Sequence, residues 1–195
     1  MGDRKKAKRK YDRMLEEHVG KKEIIALFTP VDSIEANVFG YLLAMSEYYL
    51  LMQIQYDLEI DGYAIIPKTA FDSLEFGNKN KMRMDILAAE GTDSIWGIDH
   101  DIDLTDWHTI FACLQKLDMH VIVRRGVMEY PEFVIGPITD VRKRSVSVRY
   151  YNAEGQLDAK ATKVKYDDIT KIEFGDKYSL TFRKYLKPMS ARKLK

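Results

Sequence analysis

The sequence predicts a mainly β chain with flanking helices, built as two tandem five-stranded small barrels, each preceded by an α-helix. Three observations predict it. The chain matches itself in buried-residue pattern at an offset of 96 positions, rising to 98 after one turn. Both copies carry short segments of period-2 alternation, the mark of half-buried strands. Each copy also has a glycine in the middle of its second strand, Gly40 and Gly136, where glycine marks a bend or bulge.

The match starts in a helix. Tyr11, Met14, Leu15 and His18 fall on Trp107, Ile110, Phe111 and Leu114, and both sets have the i, i+3, i+4, i+7 spacing of one apolar helix face. Thr105 and Asp106 can cap the second helix, predicted over 105–118. The same offset carries Ile25 and Leu27 onto Val121 and Val123, and Leu50, Met52 and Ile54 onto Val146, Val148 and Tyr150. The second copy gains two residues in the turn Asn152–Gly155, a place where a hairpin tolerates insertion. Leu74, Glu75, Phe76 and Gly77 then fall on Ile172, Glu173, Phe174 and Gly175.

The expected strands are 23–28, 37–46, 48–56, 62–67 and 73–77 in the first copy, and 119–125, 133–142, 145–152, 159–165 and 170–174 in the second. Lys68–Asp72 and Tyr166–Ile169 are too short for an α-helix and suit a 3₁₀ turn. Pro137 lacks an N–H and requires a bulge or an unpaired edge, and Pro67 favours a strand end. A short helix closes each copy. The domains are expected at 1–90 and 105–195, joined by an acidic linker over 91–104.

A helix, five bent strands, a mid-strand glycine and a 3₁₀ turn before the fifth strand resemble the SH3-like barrels, most closely the Sm-like fold. The chain is also similar to bacterial tandem-barrel proteins with Asp-Asp-Ile before strand five, here Asp167-Asp168-Ile169; the first copy has Thr69, Ala70 and Phe71 instead. The resemblance implies that the preceding helix caps the open end of its barrel. Sm-like RNA binders carry an Asn after the second strand and an Arg-Gly or Lys-His pair before the fifth. Neither copy has them, so those nucleotide-binding residues do not carry over, and a fold alone implies no function.

Composition excludes several classes. The 195 residues are 46% hydrophobic and 31% charged, with no apolar run of transmembrane length and no apolar segment behind the basic N-terminus to make a secretory signal. The single cysteine, Cys113, excludes an internal disulfide framework, and a cytoplasmic location is expected. Net charge is +1, unevenly spread: residues 1–13 carry +5, residues 14–104 carry −11 and residues 105–195 carry +7. The two halves can neutralise each other, within a chain or between copies, or the basic half can meet a phosphate-bearing partner.

No Gly-rich phosphate loop, nucleophile elbow or metal-ligand pair is present, so no catalytic residue, cofactor or metal is expected. Asp99, Asp101 and Asp103 have the spacing of a calcium loop, but Leu104 stands where glycine is needed and Ile110 where a bidentate Glu belongs. Cys113 and His108 lie about 140° apart around one helix and form no nucleophile–base pair. The best functional lead is Arg142, Lys143, Arg144 and Arg149 with Tyr151, where cations and a ring on an outer face can meet phosphate and stack on bases. A charged hairpin tip that keeps a sheet edge soluble is the plainer reading of Arg142–Arg144. The N-terminal run Arg4–Arg13 and the tail Arg192–Lys195 read as solvated ends. The expectation is a non-enzymatic binding or scaffold protein with a protein partner. RNA binding through the second barrel is the alternative, with no membrane role and room for a homo-oligomer.

Overall fold

The computed structural model describes residues 11–29, 37–77, 80–126 and 132–188. The N-terminal basic run as far as Lys10 and the tail Arg192–Lys195 lie outside them. The chain is mainly β and divides into two compact units, one running to Asp61 with Ile66–Asp101, the other combining Gly62–Ile65 with the chain from Ile102 on.

The first unit begins with a helical turn over 11–16, which buries Leu15. The strands are β1 (Ile24–Phe28), β2 (Val38–Met45), β3 (Tyr49–Tyr56), β4 (Glu59–Pro67) and β5 (Ser73–Glu75). They lie in the order β4-β3-β2-β1-β5. Pro67 ends its strand as expected, while β4 starts three residues before the predicted 62. The reason is a two-residue hairpin at Asp57 and Leu58, both at positive φ (44° and 65°), which pairing of primed-turn type requires. Helix α1 (Lys81–Ala89) buries Leu87 against Ile24 and Tyr41. Here Asn80 donates its side-chain amide to the Ile24 carbonyl at 3.2 Å.

The second unit opens with α2 (Trp107–Lys116), and its buried face is Trp107, Ile110, Phe111 and Leu114, as the spacing predicts. Asp106 caps it, accepting from the Thr109 N–H at 2.8 Å, and this bond holds the Asp106 carboxyl below the usual carboxylate range. Next come β6 (His120–Arg125), β7 (Glu132–Arg142), β8 (Ser145–Val148), β9 (Gln156–Leu157), β10 (Thr162–Lys165) and β11 (Ile169–Phe174). Then follow α3 (Lys177–Phe182) and β12 (Lys187–Pro188), the latter parallel to β9. The ladder order is β10-β8-β7-β6-β11, and β11 continues onto residues 63–65 of β4. A 3₁₀ turn at Tyr166–Asp168 precedes β11 as expected, and the first unit has a turn at 68–70.

The two ladders carry the same registers. Gly40 stands opposite Ile25, and Gly136 opposite Val121. Leu27 pairs with Leu74, and Val123 with Ile172. The second strand of each is bulged at matching places, between Leu42 and Ala44 and between Ile138 and Asp140. Pro137 lies directly before its bulge and opposite His120 at the start of β6.

Three expectations are corrected. Among the described residues neither set of strands closes into a barrel, since β5 is bonded to β1 alone and β10 to β8 alone. Closure would need strand four to meet strand five of its own set, and at residues 63–65 that edge is occupied by β11 instead. The strand predicted over 145–152 ends at Val148, although Arg149 and Tyr151 still donate backbone N–H groups to Pro137 and Ile135. Likewise 159–161 is not strand; the chain there has just left β9, which bridges back to Tyr151.

Candidate ligand groove of the second unit

Alternation along β6 puts Val121 and Val123 into the core and leaves Ile122 and Arg124 on the opposite face. Their partners on β7, Ile135 and Phe133, share that face. With Tyr150, Tyr151, Ala153 and Tyr178 they line an open groove of about 340 Å³. Phe133 and Tyr178 are about half exposed, at 50% and 46%, on its walls.

Two cations on this face share one carboxylate. Arg124 Nε donates to Glu173 Oε2 at 2.8 Å, and Lys171 Nζ lies 3.0 Å from Glu173 Oε1. Burial alone would raise the Glu173 carboxyl, but Lys171 and Arg124 outweigh it and hold the group below the usual range. The Arg124 guanidinium also stands 6.0 Å from the Phe133 ring centroid. Among the described residues the groove is therefore aromatic, with its one lining cation, Arg124, paired to a carboxylate.

Helix α3 supplies the Tyr178 wall. Asp176 caps it, with Oδ1 accepting from the Ser179 N–H at 2.8 Å and Oδ2 from the Ser179 hydroxyl at 2.6 Å. Phe182 stacks on Tyr151 at 5.8 Å and on Tyr178 at 4.2 Å, tying the helix to the sheet. Arg183, just after the helix, is bonded to the Asp118 carboxylate. Beneath lies His120, its Nδ1 buried with no hydrogen-bond partner among the described residues. Burial, then the nearby Arg183, lowers its pKa.

The five residues singled out from sequence do not gather. Tyr151 is only 1% exposed, so it is no outward stacking ring; burial pushes its hydroxyl up to about 12. Phe182 of α3 stacks on it, and its neighbour Tyr150, expected on the Val146 and Val148 face, lines the same groove. Arg142, Lys143 and Arg144 form the exposed β7–β8 tip. Arg142 is paired with Asp140 at 2.5 Å, and its carbonyl accepts from the Tyr166 hydroxyl at 2.8 Å. Arg149 is exposed beside Tyr150. The tip and Phe133 lie toward opposite ends of β7, separated by up to about 30 Å of strand.

Asp103 accepts from both the N–H and the hydroxyl of Thr105, at 2.9 and 2.6 Å, a turn leading into α2. Among the described residues no three His, Cys, Asp or Glu side chains gather to hold a metal ion, and no helix is long and apolar enough to cross a membrane. Arg124, Phe133 and Tyr178 escape a sequence reading because they belong to three separate segments. Their one signal is a Phe at the solvent-facing phase of its strand.

The fold and groove define a mainly β chain with an open aromatic cleft. Comparisons with protein-family models, curated proteins and solved structures found no match.

Proposed function

We propose that this chain is a non-enzymatic binding or scaffold protein made of two tandem Sm-like units, the second of which seats a protein partner in the Phe133–Tyr150–Tyr178 groove. The tandem reading is supported by the matching registers, bulges and glycines of the two ladders. The binding reading rests on one observation above the others: two half-exposed rings flank a concave apolar face whose one lining cation among the described residues, Arg124, is already paired with Glu173. Tyr and Phe beside an Arg match the anchor composition of protein interfaces. Capture from the source cell after nuclease treatment tests it. A partner should survive nuclease and be lost when Phe133→Ala and Tyr178→Ala are combined; a partner indifferent to both changes overturns the assignment of the groove.

The exposed cations Lys143, Arg144 and Arg149 favour a second reading, binding of single-stranded RNA at the basic edge of the second unit. A gel shift at low salt that weakens steeply with added salt, and again with Lys143→Glu and Arg144→Glu, would support it.

A further inference from the structure

His120 is a buried titratable side chain beneath the wall of the groove. It opens β6 opposite Pro137, a residue with no backbone N–H to offer. Its Nδ1 is buried with no hydrogen-bond partner among the described residues. The ring packs on Tyr151 with centroids 5.9 Å apart, and Phe182 of α3 covers Tyr151 in turn. The charged groups facing the imidazole are Asp118, in the turn before β6, and Asp176 and Arg183, at the two ends of α3. Both carboxylates are already engaged, Asp118 by Arg183 and Asp176 by the Ser179 N–H and hydroxyl. The Tyr151 hydroxyl, pushed up to about 12 by burial, stays neutral.

This site suits a neutral ring. Protonation makes both ring nitrogens donors, so Nδ1 becomes a buried N–H without an acceptor, on a cation beside the Arg183 guanidinium. Asp118 and Asp176 offset only part of that cost. The cover above the ring is slight. Helix α3 has six residues, and Ser179 is its one fully buried side chain. A helix this short does not hold itself together in water, and elements with few buried apolar contacts open before the rest of a fold. Lifting α3 would hydrate the imidazole and carry Arg183 away from it.

We propose that His120 is a proton-operated latch on the groove: neutral, it lets α3 dock and supply the Tyr178 wall; protonated, it releases α3 and dismantles that wall. As regulation of partner binding this rests on the groove reading, whereas the docking of α3 is measured with no partner present. Linkage fixes the direction. The released state binds the proton better, so its population grows as pH falls below about 6.5, by at most about tenfold per pH unit for one proton.

Hydroxyl-radical footprinting of the full chain by X-ray radiolysis, read by mass spectrometry, tests the latch. Tyr151, buried under Phe182, reports release of α3, and Phe111 of α2, also buried, reports unfolding of the unit. Between pH 7.5 and 5 the labelling of Tyr151 should rise about fivefold or more while Phe111 stays protected. Its midpoint should coincide with that of the His120 ring titration followed by NMR in the same chain, because one proton drives both. His120→Gln, which takes up no proton, should keep Tyr151 protected at pH 5. Where that variant exposes Phe111 at pH 7.5, the two midpoints of the unmodified chain decide. Tyr151 labelling that is flat, that rises in step with Phe111, or that has a midpoint apart from that of His120 overturns the latch and leaves the partner groove standing. Failure to capture a partner overturns the groove and leaves the docking result intact.

Discussion

Gly40 and Gly136 hold the same place in two ladders: a Cβ on Gly40 would sit 2.0 Å from the Gln53 carbonyl oxygen, and one on Gly136 1.9 Å from that of Arg149. Gln53 and Arg149 are themselves 96 residues apart. At both sites a neighbouring backbone passes where any side chain would be, and backbone cannot swing aside as a side-chain tip can. Gly40→Ala and Gly136→Ala should each destabilise the chain by about 3 kcal/mol, the upper end of overpacking costs, measured as a shift in urea midpoint at unchanged slope.

The β3–β4 hairpin is strained in the opposite sense. Leu58 is held at φ 65° in a two-residue turn that glycine fits better. Leu58 is 40% exposed, so little packing is lost on its removal. Leu58→Gly should raise stability by about 0.5–1 kcal/mol, the relief of left-handed strain net of the entropy that glycine adds to the unfolded chain. Thermal unfolding of the variant checks this.

Trp107 is 6% exposed and packs on Phe111 with ring centroids 5.8 Å apart. Phe111 in turn stacks on Tyr166 at 5.8 Å. Removing such a ring costs about 3–5 kcal/mol, a large part of the stability of a small unit. Trp107→Ala should abolish the protection of β6–β8 amides in hydrogen exchange before those of β1–β3. Retention of full protection in β6–β8 would make Trp107 a surface anchor.

Glu173 and His120 give stability a dependence on pH in separate windows, and Asp106, also lowered, adds to the acidic one. Glu173 has its folded pKa lowered by Lys171 and Arg124 against the opposing effect of burial, so its contribution is complete above the ordinary carboxyl range and is lost as pH falls through it. His120 also has a lowered folded pKa, chiefly through burial. The unfolded chain therefore binds the His120 proton first, and stability falls as pH drops below about 6.5, the ordinary histidine value. Urea midpoints between pH 4 and 8 should show both slopes. The upper should flatten in His120→Gln and the lower in Glu173→Gln.

Much of the fold is legible in the sequence because packing repeats. The offset of 96 follows the apolar faces of strands and helix, and the glycines and bulges obey the same spacing. What periodicity does not carry is the contact made after a strand ends. Phe182 of α3 lies over Tyr151, and nothing in the spacing of residues 145–151 announces that helix's docking position. Barrel closure is wrongly expected for a related reason: the partner of residues 63–65 is set by β11, over a hundred residues away, and not by local pattern. The groove is hidden because β6, β7 and α3 each contribute one or two side chains to it.

Hydrogen exchange on the nuclease-treated complex tests the central claim most directly. If the groove seats a protein partner, protection should concentrate on peptides containing Arg124, Phe133, Tyr150 and Tyr178, and should vanish in the Phe133→Ala, Tyr178→Ala double variant, which is expected to stay folded because both rings are about half exposed. Protection confined to Arg142–Arg149, in a complex that nuclease dissolves, would contradict the account and move the site to the basic tip.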